Sequence, residues 1–270
     1  MDAAGLRTRA EAWIDRLQPA RRSRLIPGVP GRVHLRDAML YDDSPPSVEA
    51  YLRAGRSAVA AIQQGLSACG RRSTDVRSAL DFGCGHGRVL RQLRQEIAAR
   101  HITACDTDAT AVRFCGAEFG VHMIVSRPEI ESVRLGSYDL IWVGSVFTHL
   151  DRSGVDALLR KLGGALQPRG VLVFSSQGEF SAANLSHLYG GTYRDEAEQI
   201  YREYREDGIA FRPYDASVIG TPGGVYGMTW LARDYVEKRV AAFFGGALVL
   251  RHFESQGWDG HHDVFTVQRA

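Results

Sequence analysis

The run Asp81-Phe82-Gly83-Cys84-Gly85-His86-Gly87 holds the residue types and spacing that most directly imply chemistry. Glycines at alternate positions let the backbone turn tightly and approach a ligand with no Cβ in the way. The turn lies between a strand-like run, Ser78 to Phe82, and a helix-like run from Arg88. The unpaired amides that open such a helix suit a carboxylate. A dinucleotide fingerprint would need Gly-x-Gly-x-x-Gly. Counted from Gly83, the third glycine falls on Arg88, so that reading fails.

Other residues suggest an acceptor side. His149 lies just past a fourth strand-like run, at the edge where open α/β sheets bind ligands, and its imidazole can take a proton near neutral pH. The competing role is a backbone hydrogen bond beneath a loop. Gln177 and Glu179 follow a fifth run and are substrate-contact candidates; otherwise they serve loop hydrogen bonding. Residues 181–229 carry Tyr189, Tyr193, Tyr201, Tyr204, Tyr214 and Tyr226. Aromatics with polar tips suit a roof that is apolar inside and wet outside, so as a group they point to a substrate cap, although each alone more often packs on the core. His261-His262-Asp263 is not expected to hold metal, because adjacent histidines feeding a strand point to opposite faces.

The elements that must position these groups follow from periodicity. A basic amphipathic helix is predicted from Ala4 to Leu25, broken at Pro19, and a second from Ser47, as its cap, to about Cys69. From Val76, strand and helix alternate. Strands are predicted at Ser78–Phe82, Ile102–Cys105, Val121–Val125, Tyr138–Val143 and Val171–Ser175. The intervening helices are Arg88–Ala99, Ala109–Glu118 and Gly154–Leu166, a rhythm that gives a parallel sheet covered on both faces. Ser181–Asp207 and Leu231–Phe244 read as helices, and Val225–Trp230 as a short extended piece. Ala247–Phe253 and Val264–Gln268 are strands joined by too short a turn for a crossover helix, so they should be antiparallel. The organisation expected is an N-terminal helical extension over residues 1–75 and a main domain over 76–270, with residues 181–229 as a cap insertion.

The run LDFGCGHGR resembles motif I of class I (Rossmann-like) S-adenosylmethionine-dependent methyltransferases, in which D/E-x-G-x-G-x-G closes on the methionine part of the cofactor. SVFTHL, at residues 145–150, resembles the loop after the fourth strand in a bacterial small-molecule subgroup. The resemblance covers about Val76 to Ser176 and returns at Tyr226-Gly227 and the terminal strand. It implies an α/β fold with a seven-stranded sheet of order 3-2-1-4-5-7-6, strand 7 antiparallel. It also implies S-adenosylmethionine as cofactor and S-adenosylhomocysteine as product. Asp81, Gly83, Cys84, Gly85 and Gly87 would hold the amino-acid end. Asp106, ending the second strand, would take both ribose hydroxyls, since a carboxylate accepts two hydrogen bonds at once. Asp108 would instead cap the next helix. Thr107, Gly144 and Ser145 complete the implied cofactor set. The family often reads adenine with an Asp after the third strand; here Val125-Ser126-Arg127-Pro128-Glu129 stands there, which leaves Ser126 or backbone groups. Gln177, Glu179, Tyr193 and Tyr226 are the substrate candidates.

Methyl transfer is a direct displacement, so alignment should matter more than covalent help, and His149 is the single base candidate. A net charge of +2 gives no electrostatic argument for a nucleic-acid partner. Asn/Asp-Pro-Pro-Tyr, usual for planar amino groups, is replaced by Gly144-Ser145-Val146-Phe147. The expected acceptor is therefore an oxygen or nitrogen of a small molecule, such as a specialised metabolite or sugar derivative. The alternatives are a protein or nucleic-acid methyltransferase and a non-catalytic cofactor-binding partner protein. No apolar run is long enough to span a bilayer, and the four cysteines lack metal-like spacing, which suggests a reduced, cytoplasmic protein with no membrane contact. Arginine in place of nearly all lysine points to a GC-rich bacterial genome.

Overall fold

The computed structural model describes residues 22–97, 100–215 and 226–270. Most of the helix predicted for residues 4–25 lies outside them. Its described end is a strand instead: Ser23–Leu25 (β1) pairs antiparallel with Arg32–His34 (β2). The next helix, Pro45–Ala68 (α1), starts earlier than predicted, with Ser44 as cap residue and Pro45 in the first turn. Proline is pre-shaped for that place and has no amide to leave unpaired. The Ser47 hydroxyl accepts from the Asp42 amide at 3.2 Å and caps nothing.

Ser78–Phe82 (β3), His101–Asp106 (β4), His122–Val125 (β5), Tyr138–Val143 (β6) and Leu166–Gln177 (β7) form parallel pairs. Apart from β5 at the sheet edge, they are apolar on both faces, as strands covered twice by helices must be. Leu90–Glu96 (α2), Ala109–Phe119 (α3) and Arg152–Gly164 (α4) make the crossovers. The final hairpin, Leu248–Trp258 (β10) and His262–Arg269 (β11), is antiparallel, and β11 inserts beside β7 in the opposite sense. The full order is β10-β11-β7-β6-β3-β4-β5. Numbered from β3 with the hairpin last, this is the expected 3-2-1-4-5-7-6 order, and the fold is Rossmann-like.

One apolar layer joins Ala58, Ile62 and Leu66 of α1 to Leu90, Trp142 and Val173. Helix α1 therefore belongs to the same core as the sheet, and that core crosses the expected boundary at residue 75. The other face packs Leu158 and Leu162 of α4 against Val236 and Val240 of Arg233–Phe244 (α7).

The insertion after β7 differs from the long helix predicted for 181–207. It contains Glu179–Ala183 (α5), a turn at Tyr189–Gly191 and Ala197–Asp207 (α6). Tyr189, Gly190 and Gly191 have φ of 55°, 64° and 79°, and that left-handed stretch breaks the helix. A hairpin, Ile209–Pro213 (β8) with Gly227–Leu231 (β9), completes the insertion and touches the sheet at Gln177–Trp230. No described helix is long and apolar enough to cross a membrane.

Candidate active site

The carboxyl ends of β3, β4 and β6 open onto one cavity of about 680 Å³. The glycine turn leaves β3 with positive φ at Gly83 (78°), Gly85 (49°) and Gly87 (86°), but the glycines have different reasons. A Cβ on Gly83 would lie 2.3 Å from Val146, and one on Gly87 2.5 Å from Phe119, so those two permit close packing. A Cβ on Gly85 would meet nothing within 4 Å, because it would project into the cavity.

The loop amides are already engaged. Gly83 and Cys84 both donate to the Cys105 carbonyl, at 2.8 and 3.1 Å, and Gly87 donates to Cys84 at 3.0 Å. Gly85 donates to the Asp106 carboxylate at 2.8 Å. These bonds belong to the turn; the amides that lead into α2, at Arg88, Val89 and Leu90, are not among the donors. Asp106 also accepts from the Asp108 amide at 2.9 Å, which orients its carboxylate at the end of β4. Asp108 caps α3 by accepting from Thr110 at 2.7 Å.

Asp81 is the electrostatic anomaly. It lines the cavity yet is 1 % exposed, and its Oδ2 has no hydrogen-bond partner among the described residues. Burial, then the nearby Asp106 charge, pushes its carboxyl up to about 7, against the opposing pull of Arg88. A buried carboxylate in that state calls for a cation.

His149 sits on the wall beyond β6, with Nδ1 2.8 Å from the Tyr214 hydroxyl and 3.2 Å from the Gly227 carbonyl. With the proton on Nδ1 the ring donates to the Gly227 carbonyl, which can only accept, and Nε2 keeps the basic lone pair; with Nδ1 bare it accepts from the Tyr214 hydroxyl instead. Burial holds the imidazole below its ordinary range, with the Gly227 carbonyl pulling the other way, so the ring is neutral near pH 7.

Residues 80–172 match a methyltransferase domain. No curated protein matches the sequence. Among solved structures, the chain is similar to DhpI bound to SAH, with 13 % identity and a TM-score of 0.54 over 87 % of this chain and 92 % of that one. An S-adenosylmethionine-dependent methyltransferase from Clostridium acetobutylicum gives 13 % and 0.53 over 86 % and 97 %. Human N-acetylserotonin methyltransferase with SAM gives 13 % and 0.52 over 83 % of this chain, which spans 52 % of that protein. At such identities the likeness is one of fold.

The cavity gathers Asp81, Gly83, Cys84, Gly85, Asp106, Thr107, Ser126, Gly144, Ser145, His149 and Tyr226. Gly87 stays behind the turn, packed on α3. The remaining substrate candidates lie off the cavity wall. Gln177 is buried, with its amide 3.2 Å from His262 Nε2. Glu179 accepts from the Tyr201 hydroxyl at 2.7 Å and pairs with Arg205. Tyr193 packs edge-on against Trp230 at 5.4 Å. Tyr189, Tyr193, Tyr201 and Tyr204 thus build the insertion's own small core with Ile200 and Leu185, whereas Tyr226 lines the cavity and Tyr214 meets His149.

Sequence reasoning missed the wall opposite. Asp37, Met39, Tyr41, Tyr51 and Arg53 line the cavity from the N-terminal side. Buried Arg91 fastens that segment by donating to the Pro30 carbonyl and lying over the Tyr51 and Phe119 rings. The Arg32 amide donates to Glu118 at 2.7 Å, and His34 stacks on His86 of the glycine turn at 4.5 Å. The Tyr51 hydroxyl donates to Asp37 at 2.8 Å. Trp142, Trp258 and His262 were likewise unforeseen as cavity residues. Only the aromatic tyrosines in a polar stretch hinted at this wall.

Proposed function

We propose that the protein transfers the methyl group of S-adenosylmethionine to an oxygen or nitrogen of a small-molecule acceptor, such as a specialised metabolite or sugar derivative. The observation that carries this reading is the buried Asp81, whose Oδ2 has no hydrogen-bond partner among the described residues, beside a glycine on which a Cβ would meet open space. The groups present fit the cofactor part by part. Asp81 offers its charge to the ammonium, and Asp106 keeps acceptor capacity for the ribose hydroxyls. Pro128, Ile130 and Leu158 give an apolar slot for adenine, with Ser126 as its polar edge. When bound, the cofactor supplies a methyl group on a positively charged sulfur. The cavity volume lies in the range of small-molecule sites, roughly 300–1,000 Å³, and Asp37, Met39, Tyr41, Tyr51 and Arg53 add an N-terminal wall to it. That favours a small acceptor over a macromolecule.

Calorimetry tests the cofactor reading. S-adenosylmethionine and S-adenosylhomocysteine should bind and NAD should not. Asp106→Ala should weaken both by about 1.5–3 kcal/mol, the scale of hydrogen bonds to a charged group. Tight NAD binding, or an Asp106→Ala variant with wild-type affinity, overturns it.

His149 serves as the base, through Nε2, toward an acceptor that must lose a proton. His149→Ala should lower kcat by about 100-fold, within the usual range for a positioned base, and leave S-adenosylhomocysteine affinity intact. Because burial lowers the histidine, the base form dominates at neutrality. The wild-type rate should be level above pH 7 and fall in acid below the ordinary histidine range. An unchanged kcat in the variant removes His149 from the chemistry and leaves alignment as the source of the rate.

A further inference from the structure

The final hairpin brings a second set of charged groups to the cavity, on elements that the cofactor reading does not use. Its turn is fixed to α1: Trp258 Nε1 donates to the Ala54 carbonyl and the Asp259 amide to the Ser57 hydroxyl, both at 2.9 Å. Arg53, Arg88, Asp259 and His261 line the cavity on this side. Asp259 is taken by Arg53 at 3.0 Å. The Arg88 guanidinium instead lies 5.5 Å over the Trp258 indole, and no acceptor bonds to it among the described residues. A guanidinium stacked on an indole is pre-oriented, with a planar fork of donors that matches a carboxylate or a phosphate.

His262 shows what else faces the same space. Burial pushes its imidazole down to about 3, and His261, His149 and Arg88 add to that effect. Those three groups therefore stand within electrostatic reach of one ring. His262 itself is neutral near pH 7, with both nitrogens engaged, by the Ser175 hydroxyl at 3.3 Å and the Gln177 amide at 3.2 Å. Asp81 is an acid whose charge reaches Arg88, but its Oδ2 makes no hydrogen bond. Once Asp81 has received the cofactor's ammonium, Arg88 is left as a half-buried cation near the base candidate His149. A charge so placed calls for an anion.

We propose that the acceptor is an acidic small molecule, bearing a carboxylate or a phosphate monoester, and that Arg88 binds that oxyanion on the hairpin side of the cavity. This rests on the methyl-transfer reading above. His261, exposed at the rim, is a second nitrogen donor for the same group. Anchored there, the acceptor lies near His149 and apart from the adenine slot.

The test uses the full chain, saturating labelled S-adenosylmethionine, and a bacterial small-molecule extract split by anion exchange at neutral pH. Label should be accepted by the retained fraction. Phosphatase treatment of that fraction separates the two sources: acceptor activity is lost for a phosphate monoester and kept for a carboxylate. With the retained fraction, Arg88→Gln should raise the apparent KM about 10- to 100-fold, as loss of charged hydrogen bonds does. Its S-adenosylhomocysteine affinity should stay near that of wild type. Arg88→Lys keeps the charge without the fork and should fall between, and His261→Ala should raise KM less than Arg88→Gln. The proposal is overturned if acceptor activity passes unretained, or if Arg88→Gln leaves KM unchanged. It is also overturned if that variant loses S-adenosylhomocysteine as strongly as it loses the acceptor, since the arginine then serves the cofactor or the turn. Label in the unretained fraction alone leaves methyl transfer standing, whereas label in neither fraction defeats the transfer reading and this proposal with it.

Discussion

Gly85→Asn should weaken S-adenosylhomocysteine binding by at least about 100-fold, or about 2.7 kcal/mol, while ligand-free melting falls only a few degrees. Asparagine tolerates the left-handed backbone that Gly85 adopts at φ 49° better than other side chains. Its Cβ meets no protein atom within 4 Å, so the side chain enters the cavity rather than the core. The cost falls on the ligand. Gly87→Asn is the control, because its Cβ would lie 2.5 Å from the Phe119 ring and 3.3 Å from Cys115. That variant should lose stability with or without ligand. If Gly85→Asn unfolds the free protein, or binds like wild type, the open side of the turn is not where the cofactor lies.

The second large effect is on pH. The Asp81 carboxyl is raised to about 7 in the ligand-free protein, chiefly by burial. A ligand ammonium pairs only with its ionised form. Below pH 7 the free site holds a proton that binding must expel, so affinity should fall about tenfold for each unit below pH 7. It should be highest just above pH 7 and fall again where the ligand's α-amino group loses its proton, at about 7.7–8.0. Calorimetry at pH 6 in buffers of different ionisation enthalpy should show a proton released on binding. The stability counterpart has the opposite sense. The folded value lies above the unfolded one, so the contribution of Asp81 favours the free fold fully below the ordinary carboxylate range and is lost as pH rises through 7. Asp81→Asn should remove both dependences and lower the affinity maximum. An affinity that is flat from pH 5 to 8 contradicts the pairing.

The fold was largely legible because buried parallel strands leave a dense signal. Leu140-Ile141-Trp142-Val143 and Val171-Leu172-Val173-Phe174 are apolar on both faces, and their spacing leaves room only for crossover helices. The glycine turn and Asp106 were readable because they are local. The N-terminal wall of the cavity was not, since it depends on contacts between segments far apart in the chain. Nothing near Arg91 announces that it will be buried between Tyr51, Phe119 and the Pro30 carbonyl. Of the tyrosines read as a roof, Tyr189, Tyr193, Tyr201 and Tyr204 pack in a core with Trp230, while Tyr226 lines the cavity. The break at Tyr189-Gly190-Gly191 escaped notice because two glycines after an amphipathic stretch can be read as tolerated within a helix.

Asp108 and Gly87 show how neighbouring residues of one motif divide labour. Asp106 faces the cavity and holds the glycine turn, while Asp108, two residues on, starts α3. Gly85 leaves open space at the cavity and Gly87 makes room for a phenylalanine.

The most direct measurement is transfer of a tritiated methyl group from S-adenosylmethionine by the purified protein, with a bacterial extract fractionated into metabolite, protein and RNA pools. The account predicts label in the metabolite pool that depends on the protein and falls strongly with Gly85→Asn. Label confined to the protein or RNA pool, or no transfer to any pool by a protein that binds the cofactor, would contradict it.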